Sequence, residues 1–131
     1  MLLMQLESSE KFDFIFLANY IARIDGTFSK REENILEEFC LEMGIENIIF
    51  EPSLFDFDDT IKKFKTSKSK KIVLMNLMML IHIDDNFDIY EHKLADMISE
   101  KFNFSDKDMI MTSQWGKIAS ANYIQALTFI E

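Results

Sequence analysis

Two acidic turns hold the side chains of this chain best suited to chemistry. Asp84, Asp85, Asn86, Asp88 and Glu91 set five oxygen-bearing residues within eight positions. Asp25, Thr27, Ser29, Glu32 and Glu33 form a thinner counterpart earlier in the chain. Clustered carboxylates suit a hard divalent cation (Ca²⁺, Mg²⁺ or Mn²⁺), which needs several oxygens converging on one point. Asp25, Glu32, Asp84, Asp85, Asp88 and Glu91 are therefore the candidate metal ligands. Their spacing is not that of an EF-hand, because the loop is too short and the second turn lacks a central Gly. The same residues also have an ordinary structural use. Ser29 and Asp88 stand where helix N-caps stand, and Glu32 and Glu91 fall where they complete capping boxes. Asp25 and Asp84 can accept backbone N–H bonds at a tight turn. Each cap alone contributes about 1 kcal/mol.

Other reactive residue types are sparse. His82 and His92 are the only histidines, and a zinc site needs more His or Cys at ligand spacing. Local pairing, His92 with Asp88 one helical turn earlier, is the expected role. Cys40 is alone, so no intrachain disulfide forms, and its place among apolar neighbours suits a core residue better than a nucleophile. No Gly-rich phosphate loop and no Ser/His/Asp or Cys/His arrangement stands out. Lys62, Lys63, Lys65, Lys68, Lys70 and Lys71 hold six of the 14 cationic residues, with no acid among positions 62 to 71. Removing those six charges from the net −9 leaves −15 on the rest of the chain. This basic run could meet anionic lipid or an acidic partner, or it could be a solvated helix end that complements Asp56, Asp58 and Asp59.

The elements that must position these residues repeat. Ile24-Asp25-Gly26-Thr27-Phe28-Ser29-Lys30-Arg31-Glu32 returns 59 positions later as Ile83-Asp84-Asp85-Asn86-Phe87-Asp88-Ile89-Tyr90-Glu91. Each copy follows an apolar stretch of helical character and precedes an amphipathic one. The first helix is expected over about 9–24. Phe12, Ile15, Phe16, Leu17, Tyr20, Ile21 and Ile24 cover most of its circumference, and Gly26 ends it. A second helix opens at Ser29, turns Ile35, Leu36, Phe39, Cys40 and Met43 to the core, and stops at Gly44. Pro52 marks a turn. A short helix from Asp56 or Asp58 to Lys65 follows, with acids at its positive end and lysines at its negative end. Thr66-Ser67-Lys68-Ser69 is the expected linker. A fourth helix spans about 69–83, and a fifth turns Leu94, Ala95, Ile98 and Phe102 inward. Ser105 opens a final helix, bent near Gly116, whose apolar residues suit packing across both hairpins. Phe28 and Phe87 are expected to wedge beneath the turns. The Met-rich positions (Met75, Met78, Met79, Met97, Met109, Met111) read as core filling, or as an adaptable groove for a partner helix.

Composition bounds the class. With 131 residues the chain makes one domain with a real core. It is 48% hydrophobic, too apolar for disorder. Its 3 Gly and 1 Pro leave little material for hairpin turns and favour helices. The net −9 argues against nucleic acid. The segment 1–7 does not read as a signal peptide. The run from Ile72 to Ile81, broken only by Asn76, is shorter than the about 20 residues a membrane span needs, so direct membrane insertion is not expected. The expected fold is all-α: a compact bundle of six or seven helices, made of two pseudo-repeated hairpins (about 9–46 and 69–105) and a closing C-terminal helix.

The stretch Arg23-Ile24-Asp25-Gly26-Thr27-Phe28-Ser29-Lys30-Arg31-Glu32, continued through Ile35 to Ile45, resembles the TerB-like family of tellurite-resistance and stress-response domains. That family has two helical halves, each with an Asp-Gly-type turn followed by a Ser/Asp cap and a Glu. The second half departs at Asp85, where Gly is usual. The likeness covers about 12–105. It implies a bacterial, cytoplasmic, all-α module that binds metal through acidic turn residues and docks on protein partners, some of them membrane-bound.

The leading functional expectation is thus a non-enzymatic acidic scaffold or sensor. It binds a partner protein and, through its turns, a divalent cation. The alternative is an immunity- or antitoxin-type inhibitor that uses its negative charge to steer onto a basic enzyme. A hydrolase built on turn carboxylates ranks last.

Overall fold

The computed structural model describes residues 1–24, 26–84 and 89–131. Among them it is all-α, with no strand. Six helices follow in order: α1 (Ser8–Arg23), α2 (Lys30–Met43), α3 (Phe57–Lys62), α4 (Ser67–His82), α5 (Ile89–Lys101) and α6 (Asp106–Ile130). Two short 3-10 turns, Leu3–Gln5 and Pro52–Leu54, complete the regular structure. None of the described helices is long and apolar enough to cross a membrane.

The internal repeat extends to the backbone. Adding 59 to the bounds of α1 gives those of α4 residue for residue, and α2 maps onto α5 to within one residue. The helix ends match too. Gly44 ends α2 with φ +70, and its counterpart Asn103 follows α5 with φ +58. Past each end, one N–H reaches five residues back: Ile45 to the Cys40 carbonyl, and Phe104 to the Ser99 carbonyl, both at 3.0 Å. The left-handed residue makes that back-bond possible. Gly adopts it without cost and Asn tolerates it.

The start signals work as the sequence indicates. Ser29 caps α2, and Ser105 caps α6 with Asp108 closing the box. Asp56 caps α3, accepting from the Asp59 N–H at 2.8 Å. Thr66-Ser67-Lys68-Ser69 is not a linker. Thr66 caps α4, accepting from the Ser69 N–H at 3.0 Å, and the next three residues are its first turn. A hydroxyl three residues before a free N–H makes a cap, and this outweighs the run's loop-like composition. The third helix ends at Lys62, short of the expected Lys65.

The core runs between α1 and α4. Phe14, Ile15, Leu17, Ala18 and Ile21 of α1 and Val73, Leu74 and Leu77 of α4 have no exposed surface. Phe12, by contrast, is 45% exposed, because α1 keeps one face to solvent. Asn76, the one polar break in the apolar run of α4, is buried with its amide N–H donated to the Ile72 and Met1 carbonyls (2.9 and 2.8 Å).

Helix α6 is continuous and packs chiefly on α4, with Ala119 and Tyr123 beside Ile35 and Phe39 of α2. Gly116 marks the crossing, not a break in the helix. A Cβ there would lie 2.6 Å from the Met78 backbone carbonyl carbon and 2.7 Å from the Met79 nitrogen. A missing side chain lets the two backbones meet. Ile110, Ile118 and Ile130, expected in the core, lie on the open face of α6.

Candidate acidic site between the two halves

At the start of α2 the Ser29 N–H donates to Glu32 Oε1 (3.1 Å), and the Glu32 N–H donates to Ser29 Oγ (3.0 Å). This reciprocal box draws the Glu32 side chain back over its own helix start. Glu32 is nevertheless only 4% exposed. What buries it is the other half of the molecule. Glu91, the third residue of α5 and 6% exposed, meets the Glu32 carboxyl in a side-chain hydrogen bond. The two glutamates are 59 positions apart, each the counterpart of the other.

A second self-counterpart contact lies at the starts of α1 and α4. Ser69 Oγ donates to Glu10 Oε1 at 2.9 Å, again 59 positions apart. When equivalent residues of two copies touch each other, the copies are related by a twofold operation. Glu10–Ser69 and Glu32–Glu91 are two points on that pseudo-axis. Sequence reading aligned the halves but did not pair Glu10 with Ser69. The only signal available was that both are the third residue of a capped helix.

Burial is the largest influence on the Glu32 carboxyl and holds it above the usual carboxylate range. The Ser29 hydrogen bonds oppose this, the negative charge of Asp84 adds to it, and the bond with Glu91 works against it. A hydrogen bond between two carboxyl groups needs one proton to donate. Two buried carboxyl groups in contact are accommodated by a shared proton, a cationic side chain or a bound cation.

Of the six expected metal ligands, Asp25, Asp85 and Asp88 lie outside the described residues. Glu32 and Glu91 are brought together, and Asp84 is close enough to act on Glu32. Among the described residues, no group of three or more His, Cys, Asp or Glu is arranged to hold a metal ion. Two carboxylates can bridge to a hard cation but do not complete its shell of about six to eight oxygens.

The histidines lie beside this site. His82, at the end of α4, packs its ring edge-on against His92 of α5 at 5.8 Å between centroids. Burial, then the charges of His92 and Lys117, lower the pKa of His82, and its buried Nε2 has no hydrogen-bond partner. A neutral imidazole follows, packed as an aromatic between α4 and α5. Cys40 is buried on the apolar face of α2, and burial pushes its thiol up, with Glu37 adding to the shift. Thiolate chemistry needs the opposite shift.

A groove of about 330 Å³ opens along α1, with Phe16, Ile49, Leu54 and Phe55 on its walls and Asp13, Glu51, Asp56 and Asp59 among them. Lys63 reaches Asp13 at 3.6 Å and Asp59 at 3.7 Å. Burial raises the pKa of Asp13, Lys63 opposes the shift, and Glu10 and Asp59 add to it. Little in the order of residues announces this groove. Its one signal was Asp13, an acid set between Phe12 and Phe14 in a run otherwise apolar.

Comparison of the chain with family models, with curated proteins and with solved structures returned no match.

Proposed function

We propose that the protein is a non-enzymatic, TerB-like interaction module whose two halves are joined by an acidic clasp. Neutralising that clasp with a divalent cation or a proton favours the closed arrangement. The observation that carries this reading is the contact between Glu32 and Glu91, counterpart residues buried against each other across the pseudo-axis. Burying two carboxyls at one spot is costly unless something neutral or positive joins them. Glu32 and Glu91 would supply carboxylate oxygens to the ion, and the bound charge would offset their mutual repulsion. A ligand that binds one arrangement better shifts the population toward it. Closure then sets the surface offered to a partner protein, and a membrane-bound partner is included in this reading.

Titration with Ca²⁺, Mg²⁺ and Mn²⁺, followed by amide NMR, tests the cation. Saturable shifts at residues 30–33 and 89–92 are expected, and they should vanish in Glu32→Gln. No localised shift up to millimolar metal would end the cation part of the proposal.

A second reading, an immunity-type inhibitor of a basic enzyme, draws on the α1 groove. Its apolar walls and four carboxylates, in a chain of net charge −9, complement a cationic surface. Such a complex would form without metal and weaken steeply with salt. Asp59→Lys should slow its association.

A further inference from the structure

The basic run of residues 62–71 folds into something its sequence does not show. Lys62 at the end of α3, Lys65 in the connection, Lys70 in the first turns of α4 and Lys101 at the end of α5 line one groove of about 400 Å³. Its remaining walls include Phe64 and Phe102, whose rings meet edge-on at 6.2 Å, and Lys70 Nζ lies 5.8 Å from the Phe102 ring centre. Four lysines thus line one concave surface with a single carboxylate, Asp58, among them.

The acids nearest these lysines are engaged elsewhere. Asp56 caps α3, Asp59 and Asp13 take Lys63, and Asp58 takes Lys101 at 3.1 Å. Lys62, Lys65 and Lys70 have no carboxylate within ion-pair distance among the described residues. Like charges gathered in a hollow repel one another, and an anion relieves that repulsion. This occurs in a chain that is strongly negative everywhere else.

We propose that this groove binds a small organic anion: a phosphate or carboxylate held by Lys62, Lys65 and Lys70, attached to a flat or short apolar body. The body would lie along the lysine stems, above the buried Phe64 and Phe102. The volume falls in the range of small-molecule sites, about 300–1,000 Å³. A long polyanion such as nucleic acid would be repelled by the acidic surface around the groove. The anionic group could belong to a soluble metabolite or to a lipid headgroup.

1-Naphthyl phosphate is a suitable probe, titrated into the full chain and followed by amide NMR. Inorganic phosphate and the cation 1-naphthylmethylammonium serve as comparisons. Saturable one-site binding with shifts around residues 61–65, 70 and 101–102 is expected. Lys65→Glu and Lys70→Glu should each weaken it by about tenfold or more, whereas Lys71→Glu, the same charge change outside the groove, should have little effect. The proposal is overturned by absence of binding at millimolar probe, by equal losses in Lys71→Glu, or by equally tight binding of the cation or of inorganic phosphate. Sedimentation with phosphatidylglycerol vesicles separates the two sources. Vesicle binding that depends on Lys65 and Lys70 supports the proposal with a headgroup as the ligand. Probe binding without vesicle binding supports it with a soluble anion.

Discussion

Glu32 closes the capping box of α2 and also meets its counterpart across the pseudo-axis. Its carboxyl releases its proton less readily in the folded chain than at the ordinary value of 4.5, mainly because it is buried. As pH rises from that value through the raised one, the native state holds more protons than the unfolded state. Stability therefore falls across this window, and the loss persists above it. In Glu32→Gln the amide oxygen can still accept from Ser29, and the amide N–H can donate to Glu91, with no charge to bury. Urea denaturation should place the midpoint of the variant above the parent at about pH 7, with the gap closing near about pH 4. A gap of equal size at both pH values would mean that ionisation is not the cause. The same residue links stability to metal. If a cation bridges the clasp, it should raise the midpoint of the parent and leave the variant unmoved.

Helices in this chain are set by their ends and joined by their crossings. Ser29→Ala removes the acceptor for the Glu32 N–H and frees the Glu32 side chain, so a loss of about 1 kcal/mol is expected in equilibrium unfolding. Gly116→Ala acts at a crossing. The new methyl would lie against the backbone of Met78 and Met79, which cannot rotate aside. α6 and α4 must separate or shift, at a cost of about 1–3 kcal/mol, although Ala is the better helix former by about 1 kcal/mol. Denaturant titration of the two variants distinguishes these effects, and a stabilised Gly116→Ala would show that α6 is not held at this point. The outward face of α6, with Ile110, Ile118, Phe129 and Ile130 exposed, contributes little to that hold.

Across the whole molecule, charge and symmetry do different work. The pseudo-axis brings like residues together, which is harmless for Glu10 and Ser69 but leaves Glu32 facing another acid. Net charge −9 is divided unevenly, because lysines gather beside Phe64 and Phe102 while acids line the α1 groove. Association with a basic partner should therefore be fast at low salt and slow as ionic strength screens the field. Stopped-flow rates that do not change with salt would rule out steering by the acidic face.

Periodicity and caps decided the secondary structure. The helices fall at the expected places because local bonds at Ser29, Ser105, Gly44 and Asp56 need only neighbours a few residues away. The 59-residue repeat likewise gave the two hairpins, since matching apolar spacing yields matching helices. Contacts between distant segments were beyond such reasoning. Gly116 read as a bend until α4 lay against it. Phe12 read as core until α1 kept a side to solvent. The Glu32–Glu91 contact exists only once α2 meets α5, and the lysine groove only once α3, α4 and α5 are docked. A side chain's partner across a core is fixed by how helices cross, which the order of residues within any one helix does not state.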